Sequence, residues 1–166
     1  MASITLGGKT VETLGELPPV GSKAPDFELV DTDFKTVSLD VFAGRKVVLN
    51  IFPSIGTDIC QASTRWFNEA ATEIEPAVVI TVSMDIPFAL RGFLAAEGIE
   101  NVVMASAFRS DFPAKYEVVM KNGAWAGLLS RAVIVLDEHH QVIHTQQVPD
   151  IGDEPDYEAA LAVLER

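Results

Sequence analysis

Apolar and polar residues alternate in Ile4-Thr5-Leu6 and again in Thr10-Val11-Glu12-Thr13, on either side of Gly7-Gly8-Lys9. Alternation of period two around a glycine pair predicts a small β-hairpin. A Pro/Gly-rich connector, residues 17–25, follows, and then Phe27-Glu28-Leu29-Val30 and Thr36-Val37-Ser38 predict a second hairpin with a short helix over 39–42. Residues 46–52 are almost continuously apolar and β-branched, the pattern of a central strand covered on both faces. Over residues 59–75 the apolar positions Ala62, Trp66, Ala70 and Ile74 recur at helical spacing, and Pro76 supplies a stop. Residues 77–82 predict a second buried strand. A helix is predicted over 86–97, with Asp85 as its N-cap, Pro87 in its first turn and Gly98 past its end. Residues 102–104 form a third strand, 111–116 a short helix, and 132–136 with 142–146 a hairpin around residues 137–141. Residues 154–164 predict the last helix, with Tyr157, Leu161 and Leu164 on one side.

The order βαβα followed by a hairpin and a helix predicts an α/β fold, a thioredoxin-like three-layer sandwich with a mixed central sheet. The N-terminal hairpin is an addition to it. Residues 1–166 read as a single domain, with 1–16 as the hairpin extension, and there is no repeat or low-complexity tract.

Composition narrows the function. Of 166 residues 48% are apolar and 22% charged, an ordinary globular balance large enough for a substantial core. No apolar run approaches the ~20 residues of a membrane helix, and the N-terminus lacks the basic and apolar regions of a signal peptide. The net charge of −12 opposes binding to nucleic acid or to an anionic membrane. With one cysteine, a reducing cytoplasm is the expected compartment. His139, His140 and His144 are not accompanied by the cysteine or carboxylate set that a metal site requires. Phosphate-binding glycine loops and Gly-x-Ser-x-Gly are absent. Trp66, Trp125, Phe88 and Phe93 read as core or interface side chains.

The chemistry gathers at Cys60. It falls in the first turn of the helix after the central strand, where free backbone N–H groups and the helix dipole favour an anion. The thiolate is the reactive form of cysteine. Thr57 lies three residues upstream, with a hydroxyl able to donate and to accept. Pro53 ends the strand and presents no N–H. Individually these residues also read as filler, N-cap and strand terminator; together they form Pro-x3-Thr-x2-Cys directly after a buried strand.

The segment Pro53-Ser54-Ile55-Gly56-Thr57-Asp58-Ile59-Cys60 resembles the active-site loop of the peroxiredoxins, and most nearly that of their bacterial thiol peroxidase subfamily. The likeness continues through Asn50-Ile51-Phe52-Pro53-Ser54, Asp85-Ile86-Pro87-Phe88-Ala89, Gly98-Ile99-Glu100-Asn101-Val102, Gly127-Leu128-Leu129-Ser130-Arg131-Ala132 and Glu154-Pro155-Asp156-Tyr157. The N-terminal hairpin is a trait of that subfamily. The resemblance implies reduction of hydrogen peroxide and organic hydroperoxides by a cysteine thiolate, with no cofactor. It makes Cys60 the peroxidatic nucleophile, Thr57 its hydrogen-bonding partner, Pro53 the shield against water and Arg131 the guanidinium of the site. Arg109 also matches a family position, without a role that the sequence assigns. A homodimer packed beside the active-site loops is expected.

One departure alters the expected cycle. Most thiol peroxidases carry a resolving cysteine after Arg-x-Phe, and here Arg91-Gly92-Phe93 is followed by Leu94; Thr81 stands where some members have a further cysteine. An internal disulfide is excluded, so the sulfenate of Cys60 must be reduced by an external thiol, either thioredoxin or a low-molecular-weight thiol. Two rivals stand beside the enzyme: a redox sensor that oxidises once with little turnover, and a structural module with an inert thiol.

Overall fold

The central strand owes its place to having no polar face. β5 (Val47–Ile51) is buried at every residue, and its side chains feed two separate cores. Val47, Leu49 and Ile51 point to one side with Ile80, Val82 and Ile134. Val48 points to the other with Val79, Val133 and Phe67. This computed structural model describes residues 1–165. Its main sheet has seven strands in the order β4-β3-β7-β6-β5-β8-β9, where β3 is Leu29–Val30, β4 Thr36–Val37, β6 Val78–Ser83, β7 Val103–Ser106, β8 Ala132–Leu136 and β9 Val142–Gln147. β5, β6 and β7 run parallel, while β8 pairs antiparallel with both β5 and β9, and β3 antiparallel with β4 and β7. Helices α1 (Asp58–Ala70), α2 (Pro87–Glu97) and α4 (Tyr157–Ala162) supply residues to the core on one face. The short α3 (Phe112–Lys115) and the segment around Phe27 and Val118 cover the other. The result is the expected thioredoxin-like sandwich.

A separate two-stranded sheet, β1 (Ser3–Leu6) with β2 (Lys9–Glu12), forms the N-terminal hairpin. Gly7 and Gly8 both take positive φ, 58° and 80°, as a two-residue hairpin turn matched to strand twist requires. Ile4 and Val11 pack beneath it with Met120 and Ile151 in a small third core.

Several boundaries differ from the sequence pattern, and those of the helices have visible causes. Helix α1 ends at Ala70 rather than Glu75. The Thr72 hydroxyl donates to the Glu69 carbonyl and Glu73 N–H to that of Ala70, so the chain tightens into turns before Pro76, whose predecessor is disfavoured in helix. The buried face of α1 is also not the stripe Ala62, Trp66, Ala70, Ile74: it is Cys60, Ser63, Thr64, Phe67 and Ala70. The two hydroxyls are tolerated there because both donate to the Cys60 carbonyl, at 3.0 and 2.9 Å, and Asn50 of β5 donates to Ser63 Oγ at 3.2 Å. Helix α4 begins at Tyr157, since Asp156 is the N-cap and accepts from Ala159 N–H at 3.0 Å, and it finishes in a 3-10 turn, Val163–Glu165. Asp85 does not cap α2. Ile86 occupies that position without a side-chain cap, and Pro87 opens the helix, where its missing N–H leaves one fewer free amide.

Candidate active site

Strand β5 runs into Phe52 and Pro53, both buried, and the chain then loops through residues 54–57 into α1. Thr57 is the N-cap of that helix. Its Oγ1 accepts from Cys60 N–H at 3.4 Å and donates to the Ser54 carbonyl at 3.2 Å. The hydroxyl proton is thus turned toward Ser54 rather than toward sulfur. Cys60 lies in the first turn with no exposed surface and no cysteine partner.

Antiparallel pairing brings the second charge to the same place. Because Ile51 faces Ala132 across β5 and β8, the start of β8 lies at the end of β5 from which Cys60 follows. Arg131 immediately precedes β8 and is 2% exposed. Its Nη1 donates to Cys60 Sγ at 3.3 Å and its Nε to the Ile151 carbonyl at 2.9 Å. Among the described residues no carboxylate pairs with this guanidinium. Its full positive charge therefore faces the sulfur within a poorly screened interior. Such an arrangement stabilises negative charge on sulfur and on an oxygen bound beside it.

Asp85, beyond the end of β6, is bound to the loop before α1 rather than to the helix that the sequence pattern assigned it to. Its carboxylate accepts from Ile55 N–H at 2.7 Å, Ser54 Oγ at 2.8 Å and Ser83 Oγ at 2.6 Å. Three donors on one carboxylate tie the loop carrying Thr57 and Cys60 to the edge of the β6 strand end. The only signal in the sequence was the motif containing Asp85, since its partners at Ser54 and Ile55 lie far upstream.

Helix α4 closes the neighbourhood. The Tyr157 ring stacks on Trp66 of α1, with centroids 4.2 Å apart and planes 12° from parallel, and meets Phe67 edge-on. Its hydroxyl donates to Glu154 at 2.8 Å. Burial first, and then Glu154, push its ionisation above the ordinary phenol range, while the nearby Arg131 charge pulls the other way. Tyr157 stays protonated beside the thiol. Leu94, half-buried on α2, packs against the same core as Cys60. Thr81 is buried in β6 and donates to the Val103 carbonyl at 3.2 Å and to Met104 sulfur at 3.0 Å.

Other candidates lie elsewhere. Arg109 rests over the Phe108 ring at 5.4 Å and lines a polar cavity of about 660 Å³ with Leu29, Ser106 and Lys115, which none of Pro53, Thr57, Cys60 or Arg131 borders. His140 turns its ring to the Phe42 and Arg45 carbonyls, and among the described residues no group of three or more histidine, cysteine or acidic side chains gathers around a common point. Trp66 and Phe93 pack on the core and Trp125 on the hairpin core, but Phe88 is 65% exposed and touches Phe34. No described helix is long and apolar enough to cross a membrane.

Known proteins resemble this chain in sequence and fold. The family model Redoxin matches residues 19–161. A thiol peroxidase of Mycobacterium tuberculosis is 50% identical over 164 residues, 99% of each chain, and one of Corynebacterium glutamicum is 50% identical over the same share. A peroxiredoxin-like protein from Aquifex aeolicus superposes with a TM-score of 0.91 at 34% identity, over 98% of this chain and 95% of that one. A thiol peroxidase from Chromobacterium violaceum has the same fold, with a TM-score of 0.87 at 22% identity over 98% and 95%. With a redoxin match over most of its length and half its residues shared with thiol peroxidases from end to end, the chain belongs to the redoxin family, in its thiol peroxidase branch.

Proposed function

We propose that this protein is a thiol-dependent peroxidase in which Cys60 is the peroxidatic nucleophile. The observation that carries the reading is the buried Arg131 Nη1, 3.3 Å from Cys60 Sγ, at the N-terminus of α1. The Cys60 thiolate attacks the distal oxygen of the hydroperoxide. A sulfur–oxygen bond forms, the oxygen–oxygen bond breaks, and the peroxide proton leaves with the proximal oxygen, giving Cys60 sulfenate and an alcohol or water. Arg131 bridges sulfur and the oxygen that gains charge. Thr57 turns its hydroxyl from the Ser54 carbonyl to the peroxide, and Pro53 walls the site without offering an N–H to water. One external thiol then condenses with the sulfenic acid, releasing water, and a second displaces Cys60 as thiol and leaves as disulfide. Since Cys60 is fully buried, this second half requires the first turn of α1 to open toward a reductant, thioredoxin or a small thiol. A cytoplasmic location suits such a cycle, because thiol donors are kept reduced there. The exposed rings of Phe34 and Phe88, in contact with each other, supply an apolar patch that supports a homodimer.

Peroxide consumption under excess dithiol tests the reading. Many equivalents should be consumed per chain, with no turnover in Cys60→Ser and a loss of about 10²–10³-fold in Arg131→Ala, as for removal of a charge-stabilising donor. Consumption of one equivalent followed by silence would instead establish the redox sensor. Running the assay with thioredoxin and with small thiols identifies the donor.

A further inference from the structure

The N-terminal hairpin lies outside the Redoxin match at residues 19–161 and contributes no side chain to the Cys60 site, yet it is joined to that site by a short chain of contacts. A guanidinium is planar, so fixing the direction of Nε also fixes where its Nη atoms point. Arg131 Nε has one acceptor, the Ile151 carbonyl at 2.9 Å, and no carboxylate among the described residues to hold it otherwise. The position of the Ile151 peptide therefore decides where Nη1 sits relative to Cys60 Sγ.

The Ile151 carbonyl belongs to the Ile151–Gly152 peptide, and strand β1 holds the residues that lead into it, 149–151. Thr5 faces Thr10 in the hairpin, but its own backbone groups turn outward: Thr5 N–H donates to the Pro149 carbonyl at 2.8 Å, and Ile151 N–H donates to the Thr5 carbonyl at 2.9 Å. The Thr5 hydroxyl donates to Asp150 Oδ2 at 2.9 Å, while Gly152 N–H donates to Asp150 Oδ1 at 2.8 Å. The Gly152 amide, and then Thr5, hold the Asp150 carboxyl below its ordinary range, so the acceptor stays charged at neutral pH. The Ile151 side chain, 4% exposed, is locked among Ile4, Val11 and Met120. Residues 149–152 belong to no strand or helix: Asp150 makes a lone bridge with Thr5, and Ile151 and Gly152 form a turn.

We infer that the N-terminal hairpin is a positioning element of the reaction centre, holding the Ile151 carbonyl where it aims the Arg131 guanidinium at Cys60. The inference rests on the peroxidase reading. Thr5 and Ile4 are its positioning residues, acting through Arg131 and touching neither thiol nor peroxide.

The test is a double-mutant cycle on the second-order rate of Cys60 oxidation by hydrogen peroxide, with thermal unfolding measured alongside. Ile4→Ala loosens the cluster around Ile151 and should slow oxidation about tenfold, the scale of a sub-ångström misplacement. Thr5→Val keeps the shape, removes only the hydroxyl, and should slow it about threefold, in line with one lost hydrogen bond. Thr5→Ser should restore the rate. In an Arg131→Ala background both effects should shrink to less than about twofold, because no guanidinium is left to aim. Equal losses in both backgrounds, or no loss in either, would overturn the inference while leaving the peroxidase intact. A wild-type chain that consumes no peroxide would overturn the peroxidase reading itself. If Ile4→Ala does not fold, the Thr5 pair carries the same decision.

Discussion

At the scale of single residues, the site divides into groups that touch the sulfur and groups that hold those groups still. Cys60 and Arg131 are the first kind, and Asp85 is the second. Its carboxylate joins the β6 end to the loop before α1 by accepting from Ile55 N–H and Ser54 Oγ, and it accepts from Ser83 Oγ on its own side; hydrogen bonds to a charged acceptor are the stronger kind. Replacing Asp85 by Asn leaves one carbonyl oxygen for three donors and points an N–H₂ at one of them. The expected cost is about 2 kcal/mol, a fall of roughly 4–8 °C in melting temperature for a chain of this size, together with about tenfold slower oxidation of Cys60. Differential scanning calorimetry and peroxide kinetics on Asp85→Asn check both. An unchanged rate with the full stability loss would make Asp85 a purely structural tie. Pro53, Thr57 and Cys60 could be picked out from the sequence because their types and spacing form a motif, and Arg131 from the resemblance of residues 127–132 to the peroxiredoxins. The role of Asp85 was not legible, because an aspartate before a helix reads equally well as an N-cap, and its true donors are set by the parallel register of β5 and β6.

At the scale of elements, the strands were the legible part. Runs such as residues 47–51 and 132–136 are buried at every position, so hydrophobicity alone marks them. Helices carried a weaker signal, and α1 carried a misleading one. Its buried face includes Ser63 and Thr64, whose hydroxyls serve the Cys60 carbonyl, whereas Trp66 is half-buried and spends its ring on Tyr157. A stripe drawn from apolar residues alone therefore rotates the helix away from its true inner face. The same packing bears on the proposed cycle, since Leu94 of α2 contributes to the core that Cys60 occupies. Leu94→Cys would place a thiol on that core and let α1 and α2 close the cycle internally once the first turn of α1 opens. One equivalent of hydrogen peroxide should then give an intramolecular disulfide, read by mass spectrometry as the loss of two hydrogens and the disappearance of both free thiols. Persistence of sulfenic acid with a free thiol at position 94 would show that the two helices cannot bring these side chains together.

At the scale of the whole molecule, charge and burial pull stability in opposite directions with pH. The net charge of −12 is self-repelling, so protonating carboxylates at first relieves the folded state. His144 works against that relief. It stands on β9, paired opposite Val135, and its Nε2 is buried without a hydrogen-bond partner among the described residues. Burial lowers its ionisation, only partly offset by the Asp156 charge. A lowered value in the folded state means that, below about pH 6.5, the unfolded chain takes up a proton that the folded one refuses. Stability attributable to His144 is therefore whole above that pH, falls as pH drops through it, and levels off only below the folded value. His144→Leu removes both the titration and the unpartnered nitrogen. Thermal midpoints measured from pH 7.5 to 5 should consequently fall more steeply for the wild type than for the variant, with the variant equal or more stable at the acid end. Parallel curves would mean that His144 gains a proton as readily in the folded chain as in the unfolded one, and that the pH dependence belongs to the acidic surface alone.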